Sequence, residues 1–222
     1  MRLRKKEWAK PELEKDHKVV FNPLEHKEKW QDVFGNEYPI HVELGCGRGS
    51  FIAQLAERNP KINYIAVDIH PELLVYVLRK VNERDLDNVK MIPMYIEKIA
   101  DVFGWDEVEK IYINFCNPWP NKRHHKRRLT HPNFLKAYKT FLKNKGEIWF
   151  KTDDAPLFAD SLEYFQAEGF EDVYKTHDLH QSDFKGNIRT EYEEKFCEQG
   201  VKIKFAQFRK GVNLSLASSG NI

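Results

Sequence analysis

Short β-rich runs alternate with helical patterns five times along this chain, and that alternation limits the fold more than any other feature. Ile40–Leu44 is a strand, and Ser50–Arg58 follows it with Phe51, Ile52, Leu55 and Ala56 at helical spacing. Ile62–Val67 is a strand running into Asp68, and Pro71–Glu83 is a helix with proline in its first turn and Leu74, Val77, Leu78 and Val81 on one face. Val89–Met94 and Ile111–Phe115 are strands, separated by a short helix at Glu97–Phe103. Asn133–Leu142 is a helix, Glu147–Lys151 a strand, and Ala155–Glu168 a helix ended by Gly169. Two later β-like runs, Phe170–Thr176 and Lys202–Phe208, flank a loop and a short helical segment. Strand–helix alternation of this kind produces a parallel sheet with helices on both faces, an α/β fold. Such sheets bind ligands beyond the carboxyl ends of their strands. The segments to inspect are therefore Glu43–Ser50, Asp68–His70, Tyr95–Glu97, Asn114–Asn121 and Thr152–Asp154.

Composition excludes several alternatives. The 222 residues fit one domain, and 41% hydrophobic content is enough for a core without disulfide or metal staples. No apolar run approaches the roughly 20 residues of a membrane helix, and the basic N-terminus has no apolar stretch behind it, so neither a membrane span nor a secretory signal is expected. Cys46, Cys116 and Cys197 are odd in number and far apart, which argues against a disulfide framework and fits a reducing cytoplasm. His124, His125 and His131 lack an accompanying cysteine or carboxylate cluster, so no metal site is expected.

A net charge of +2 conceals a segregation. Ile111 to Gly146 holds no Asp or Glu and nine Lys or Arg: Lys122, Arg123, Lys126, Arg127, Arg128, Lys136, Lys139, Lys143 and Lys145. The rest of the chain has 27 cations against 34 anions. Sign asymmetry on this scale points to a polyanionic partner touching one part of the surface.

The first loop reads Glu43-Leu-Gly45-Cys-Gly47-Arg-Gly49-Ser. A dinucleotide fingerprint requires glycine where Ser50 stands. An acidic residue followed by x-G-x-G-x-G instead resembles the first motif of class I S-adenosylmethionine-dependent methyltransferases. That cofactor has no phosphate to cradle, and its cationic amino-acid part favours a neighbouring carboxylate such as Glu43. Asp68, at the end of the second strand, suits the two ribose hydroxyls, although it would serve NAD equally well.

Ile111–Arg128 reads IYINFCNPWPNKRHHKRR. Together with Thr152-Asp153-Asp154 and Thr190-Glu-Tyr-Glu193, it resembles the tRNA (guanine-N(7)-)-methyltransferase family over about Ile40 to Lys210. The resemblance implies a Rossmann-like, doubly wound, mostly parallel seven-stranded sheet with a C-terminal antiparallel strand pair. It implies methyl transfer from S-adenosylmethionine to nitrogen-7 of the variable-loop guanine of tRNA. Composition at the two ends adds a basic arm at 1–35 and a frayed tail at 213–222, leaving a methyltransferase domain at 36–212. A cytoplasmic monomer or homodimer with tRNA as partner is expected.

The resemblance assigns Glu43, Gly45, Gly47, Gly49, Asp68, His70, Tyr95, Ile96 and Asn114 to the cofactor. It assigns Asn121, Lys122, Arg123, Asp153, Thr190, Glu191, Tyr192 and Glu193 to the substrate, and places Asn117 at the catalytic position. Three of these depart from the family pattern. Asn117 stands where the family has aspartate, Asn121 where it has lysine, and Tyr95 where it has an acidic cofactor contact. An amide cannot take a proton at neutral pH, so no essential general base is expected at 117; its carbonyl could orient the base instead. Trp119 could stack an extruded base or pack in the core. Asp153 or Asp154 could simply cap the following helix, and Thr-x-x-Glu is also a capping box. An exocyclic-amine methyltransferase using Asn117-Pro118-Trp119 and a catalytically weak tRNA-binding module remain as alternatives.

Overall fold

The structure, a computed structural model, describes residues 5–211. The tail expected at 213–222 lies outside them. Seven strands form one sheet: β1 (Ile40–Leu44), β2 (Asn63–Asp68), β3 (Val89–Pro93), β4 (Val108–Asn114), β5 (Leu142–Thr152), β6 (Phe170–Thr176) and β7 (Lys204–Lys210). Their order is β3-β2-β1-β4-β5-β7-β6. β1 to β5 are mutually parallel, while β7 runs antiparallel to both β5 and β6. The fold expected from the sequence is the fold observed.

The α-helices of the described residues are α1 (Ala9–Leu13), α2 (Trp30–Phe34), α3 (Ser50–Arg58), α4 (Pro71–Glu83), α5 (Pro132–Phe141), α6 (Ala155–Ala167) and α7 (Glu191–Glu198). The two-residue period of a strand divides the core into two layers. Tyr64 and Ala66 of β2 join Ile52, Leu74 and Leu78 of α3 and α4 on one face. Ile65 and Val67 join Leu135, Tyr138 and Phe158 of α5 and α6 on the other. Strands buried on both faces read as continuous apolar runs, which is why they were visible in the sequence.

Boundaries differ where turn chemistry was hidden. β5 begins at Leu142, five residues before the expected Glu147, because the chain pairs with Val108 immediately after α5 and turns with Lys145 at φ +63°. Glu97–Phe103, expected as a helix, is a 3-10 turn at Ile96–Asp101, and Lys122–Arg127 is another.

Residues 18–20 lie along the outer edge of β3. Val20 donates to the Met91 carbonyl at 2.8 Å, and Met91 donates to that of Lys18 at 2.8 Å. This covers an edge that would otherwise offer unpaired backbone groups. Trp30 of α2 is fully buried against Phe103, and its indole donates to the Val102 carbonyl at 3.0 Å. Trp30→Ala should therefore destabilise the protein by about 3–5 kcal/mol in urea unfolding, and Trp30→Phe by less, because only part of the volume and one hydrogen bond are lost.

Candidate active site

Winding direction reverses between β1 and β4, where one connection leaves each side of the sheet. The chain cannot fill the crevice this opens at the carboxyl ends of the strands. A cavity of about 820 Å³ lies there. Its walls come from the loops after β1, β2, β3 and β4, from the segment ending at Leu129, and from the start of α7.

The floor is Glu43, 2% exposed. Its Oε1 accepts from Asn114 Nδ2 at 3.0 Å, while Oε2 has no partner among the described residues. Burial pushes its pKa up to about 8, against the opposing pull of the Asn114 hydrogen bond and the Lys151 ammonium. A carboxyl so placed is poised to receive a cationic group entering the cavity, since such a group would supply the missing partner.

Three left-handed glycines carry the chain from β1 into α3: Gly45 at φ +77°, Gly47 at +55° and Gly49 at +73°. Gly49 is needed twice over, because a Cβ there would lie 2.7 Å from the Val77 methyls of α4. The Gly47 amide donates to Asp68 Oδ2 at 3.1 Å, and the His70 amide donates to Oδ1 at 2.9 Å. Burial raises the Asp68 pKa although these amides oppose it. Each oxygen retains a further lone pair for a ligand hydroxyl. His70, Tyr95 and Ile96 line the same end of the cavity, with the Tyr95 ring largely exposed at its mouth. All nine residues assigned to the cofactor from the sequence thus surround one cavity.

The β4 loop forms the opposite wall. Asn117 and Trp119 line the cavity, with Phe115 at φ +51° and Trp119 at φ +44°. Asn117 Oδ1 accepts the Trp119 amide at 3.0 Å, so the asparagine shapes its own loop. Trp119 is not core packing: it stacks on His124, and the Arg127 guanidinium lies 5.0 Å from its ring. Cys116 also lines the cavity, but burial pushes its thiol up to about 12, which leaves it a poor nucleophile.

The residues assigned to the substrate divide. Thr190 and Tyr192 line the cavity, joined by Lys195. Asn121, Lys122 and Arg123 are exposed and outside its wall; Asn121 caps the 3-10 turn, its side chain accepting from the Arg123 amide at 3.2 Å. Asp154, not Asp153, caps α6 by accepting from Leu157 at 2.6 Å, so Asp153 is not needed for that duty. Glu191 opens α7. Glu193 closes the capping box with Thr190, and it is fully buried. Its Oε2 accepts from Lys151 at 2.7 Å; its Oε1 accepts from Asn187 at 2.7 Å and pairs with His180 at 2.6 Å. Burial alone would raise its pKa, but Lys151 and these hydrogen bonds hold it below the ordinary value.

Sequence reasoning missed Lys151 and Arg128 as buried cations. Lys151 was legible only as a lysine ending an apolar run, and Arg128 resembled its exposed neighbours. The basic block is also less available than it looked, since Lys136 and Lys139 of α5 both face Glu168. Among the described residues no group of three or more metal-ligating side chains occurs, and no helix is long and apolar enough to cross a membrane.

A family model described as "Putative methyltransferase" matches residues 37–206. A tRNA (guanine-N(7)-)-methyltransferase of Desulfitobacterium hafniense (strain DSM 10664 / DCB-2) is 64% identical, covering 94% of this chain and 98% of its own. Another from Clostridium tetani (strain Massachusetts / E88) is 59% identical, covering 92% and 97%. Among solved structures, the 16S rRNA methyltransferase KamB superposes with a TM-score of 0.63 at 10% identity, covering 83% of this chain and 94% of its own. An antibiotic-related methyltransferase gives 0.60 at 17% identity, with the same coverage. At these identities the two structures show the class I methyltransferase fold alone.

The raised pKa of Glu43 has a signed consequence. The folded protein holds a proton that the unfolded chain has released, so this contribution to stability is full below about 4.5 and is lost as pH rises through about 8. The difference in melting temperature between ligand-free wild type and Glu43→Gln should therefore shift in favour of the variant across that window. A pH-independent difference would show that Glu43 titrates normally.

Proposed function

We infer that this chain, which belongs to the tRNA (guanine-N(7)-)-methyltransferase family, transfers a methyl group from S-adenosylmethionine to nitrogen-7 of a guanine in tRNA. We further propose that the guanine is the one in the variable loop, and that the reaction proceeds by positioning without an essential general base. The enzyme would work in the cytoplasm as a monomer or homodimer.

The observation that carries the reading is the buried Glu43 Oε2 on the cavity floor, which has no partner among the described residues. A donor with a cationic ammonium group would supply that partner and favour the ionised form of the carboxyl. Asp68 would hold the ribose hydroxyls, and Tyr95 and Ile96 would flank the adenine. The glycine loop lets backbone approach closely without a phosphate to bind. S-adenosylmethionine, when bound, supplies an electrophilic methyl group.

The remaining chemistry is modest. Guanine nitrogen-7 presents a lone pair and has no proton to lose, so no side chain needs to act as a base. The work of the protein is to hold the base in line with the methyl group. Trp119 and Tyr192 offer ring faces at the mouth, where stacking an extruded base contributes about 1–3 kcal/mol. Lys122, Arg123, Lys126 and Arg127 would contact phosphates, giving affinity that orients the tRNA without reading its sequence. Asp153 and Thr190 would meet the guanine edge. Glu193 would act through the placement of α7, since its carboxylate is spent on Lys151, Asn187 and His180. The exocyclic-amine alternative would use the Asn117 carbonyl for the target amine; that oxygen accepts from the Trp119 amide and keeps a second lone pair, so the identity of the methylated base decides between the two readings.

Labelled S-adenosylmethionine incubated with the purified protein and unmodified tRNA should yield 7-methylguanosine in the variable loop. N-methyladenosine in the digest, or no incorporation, would overturn the reading. In the same assay, Asn117→Asp should stay close to wild type because its carboxylate can also accept the Trp119 amide. Asn117→Ala should lose about tenfold or more in kcat, roughly 1.4 kcal/mol of barrier. An alanine variant as active as wild type would remove Asn117 from the mechanism.

A further inference from the structure

Arg128 closes the basic run, and by sequence it is one more phosphate ligand. Its position in the fold is different. Lys122, Arg123, Lys126 and Arg127 are exposed, while Arg128 is 2% exposed. Its Nε donates to the Pro118 carbonyl at 2.7 Å, and its Nη1 donates to Asp160 Oδ2 on α6. The chain just after it is equally fixed: Tyr138 of α5 donates to the Leu129 carbonyl at 3.0 Å, and Thr130 and Ser161 share a hydrogen bond of 2.7 Å.

The loop this guanidinium holds is one that would not keep its shape unaided. Phe115 and Trp119 both lie in the left-handed region that bulky side chains avoid, and such conformations persist only where surrounding contacts over-determine them. The Asn117 side chain fixes the loop from within; Arg128 fixes it from outside at the intervening Pro118 carbonyl. A guanidinium can meet a carbonyl and a carboxylate in two directions at once, which a lysine ammonium does less well.

We propose that Arg128 is a positioning residue that clamps the 115–119 loop to α6, setting the placement of Asn117 and Trp119 at the cleft, and that it makes no phosphate contact. This rests on the tRNA methyl-transfer reading above. The test compares Arg128→Gln, Arg128→Lys and Asp160→Asn with Lys122→Gln and Arg123→Gln. Each is measured for kcat on unmodified tRNA, for S-adenosylmethionine affinity by calorimetry, and for tRNA affinity across a salt series.

Arg128→Gln should lower kcat about tenfold or more, leave cofactor affinity within about twofold, and leave the salt slope of tRNA binding unchanged. Arg128→Lys should recover part of that loss. Lys122→Gln and Arg123→Gln should each reduce the slope by about 1 with smaller effects on kcat. If Arg128→Gln reduces the slope by about 1 and keeps kcat, the proposal is overturned. Asp160→Asn decides the matter even if Arg128→Gln does not fold. A phosphate ligand released from its carboxylate would bind tRNA more tightly, which would overturn the clamp, whereas a clamp weakened by the change would lower kcat without tighter binding. Should wild type transfer no methyl group to tRNA, the functional reading fails, and amide exchange still judges the clamp. Trp119 should exchange faster in Arg128→Gln while α5 and α6 amides are unchanged, and an unchanged Trp119 rate would refute it.

Discussion

A parallel sheet that reverses its winding between β1 and β4 must leave a gap at that point, and the rest of this molecule is arranged around the gap. Every loop that reaches it departs from the carboxyl end of a strand, so residues far apart in the chain converge there. Glu43, Asp68, Tyr95, Asn117 and Thr190 come from five separate segments and border one cavity. The helices behind the sheet keep those strand ends fixed by burying both faces, which is what allows a carboxyl as poorly solvated as Glu43 to be held in place.

Charge is managed differently on the two sides of that gap. On the cavity floor, Glu43 carries one hydrogen bond and an oxygen with no partner among the described residues, an arrangement that favours a cation from outside. Near the start of α7, Glu193 is saturated: Lys151, Asn187 and His180 engage both oxygens, and the ion pair joins the end of β5 to α7. A buried ion pair of this kind adds little net stability over an apolar contact, but removing one partner strands the other. Its value here lies in fixing where Thr190, Tyr192 and Lys195 stand along the rim.

The cationic run after β4 combines two roles that look alike in one dimension. Four of its members face solvent beside the cleft, where a polyanion can reach them. Arg128 turns inward and spends its charge on Asp160 and its Nε donor on a loop carbonyl. The cations of α5 are partly neutralised by Glu168. The surface available to a nucleic acid is thus narrower than the composition suggests, and it lies next to the half-buried Trp119.

The sequence by itself determined the layered fold, the glycine loop and which strand-end loops border the cavity. Strands buried on both faces show as apolar runs, helices show their period, and strand-end residues follow from topology alone. Sequence could not decide which polar side chains face the cavity and which are consumed inside the protein. Asp154 rather than Asp153 caps α6, Asn117 folds back on Trp119, Glu193 meets Lys151, and Arg128 reaches Pro118 and Asp160. Hydrogen bonds of this type join groups 2 to 42 positions apart. They depend on the directions in which side chains leave the backbone, and only the tertiary structure sets those directions.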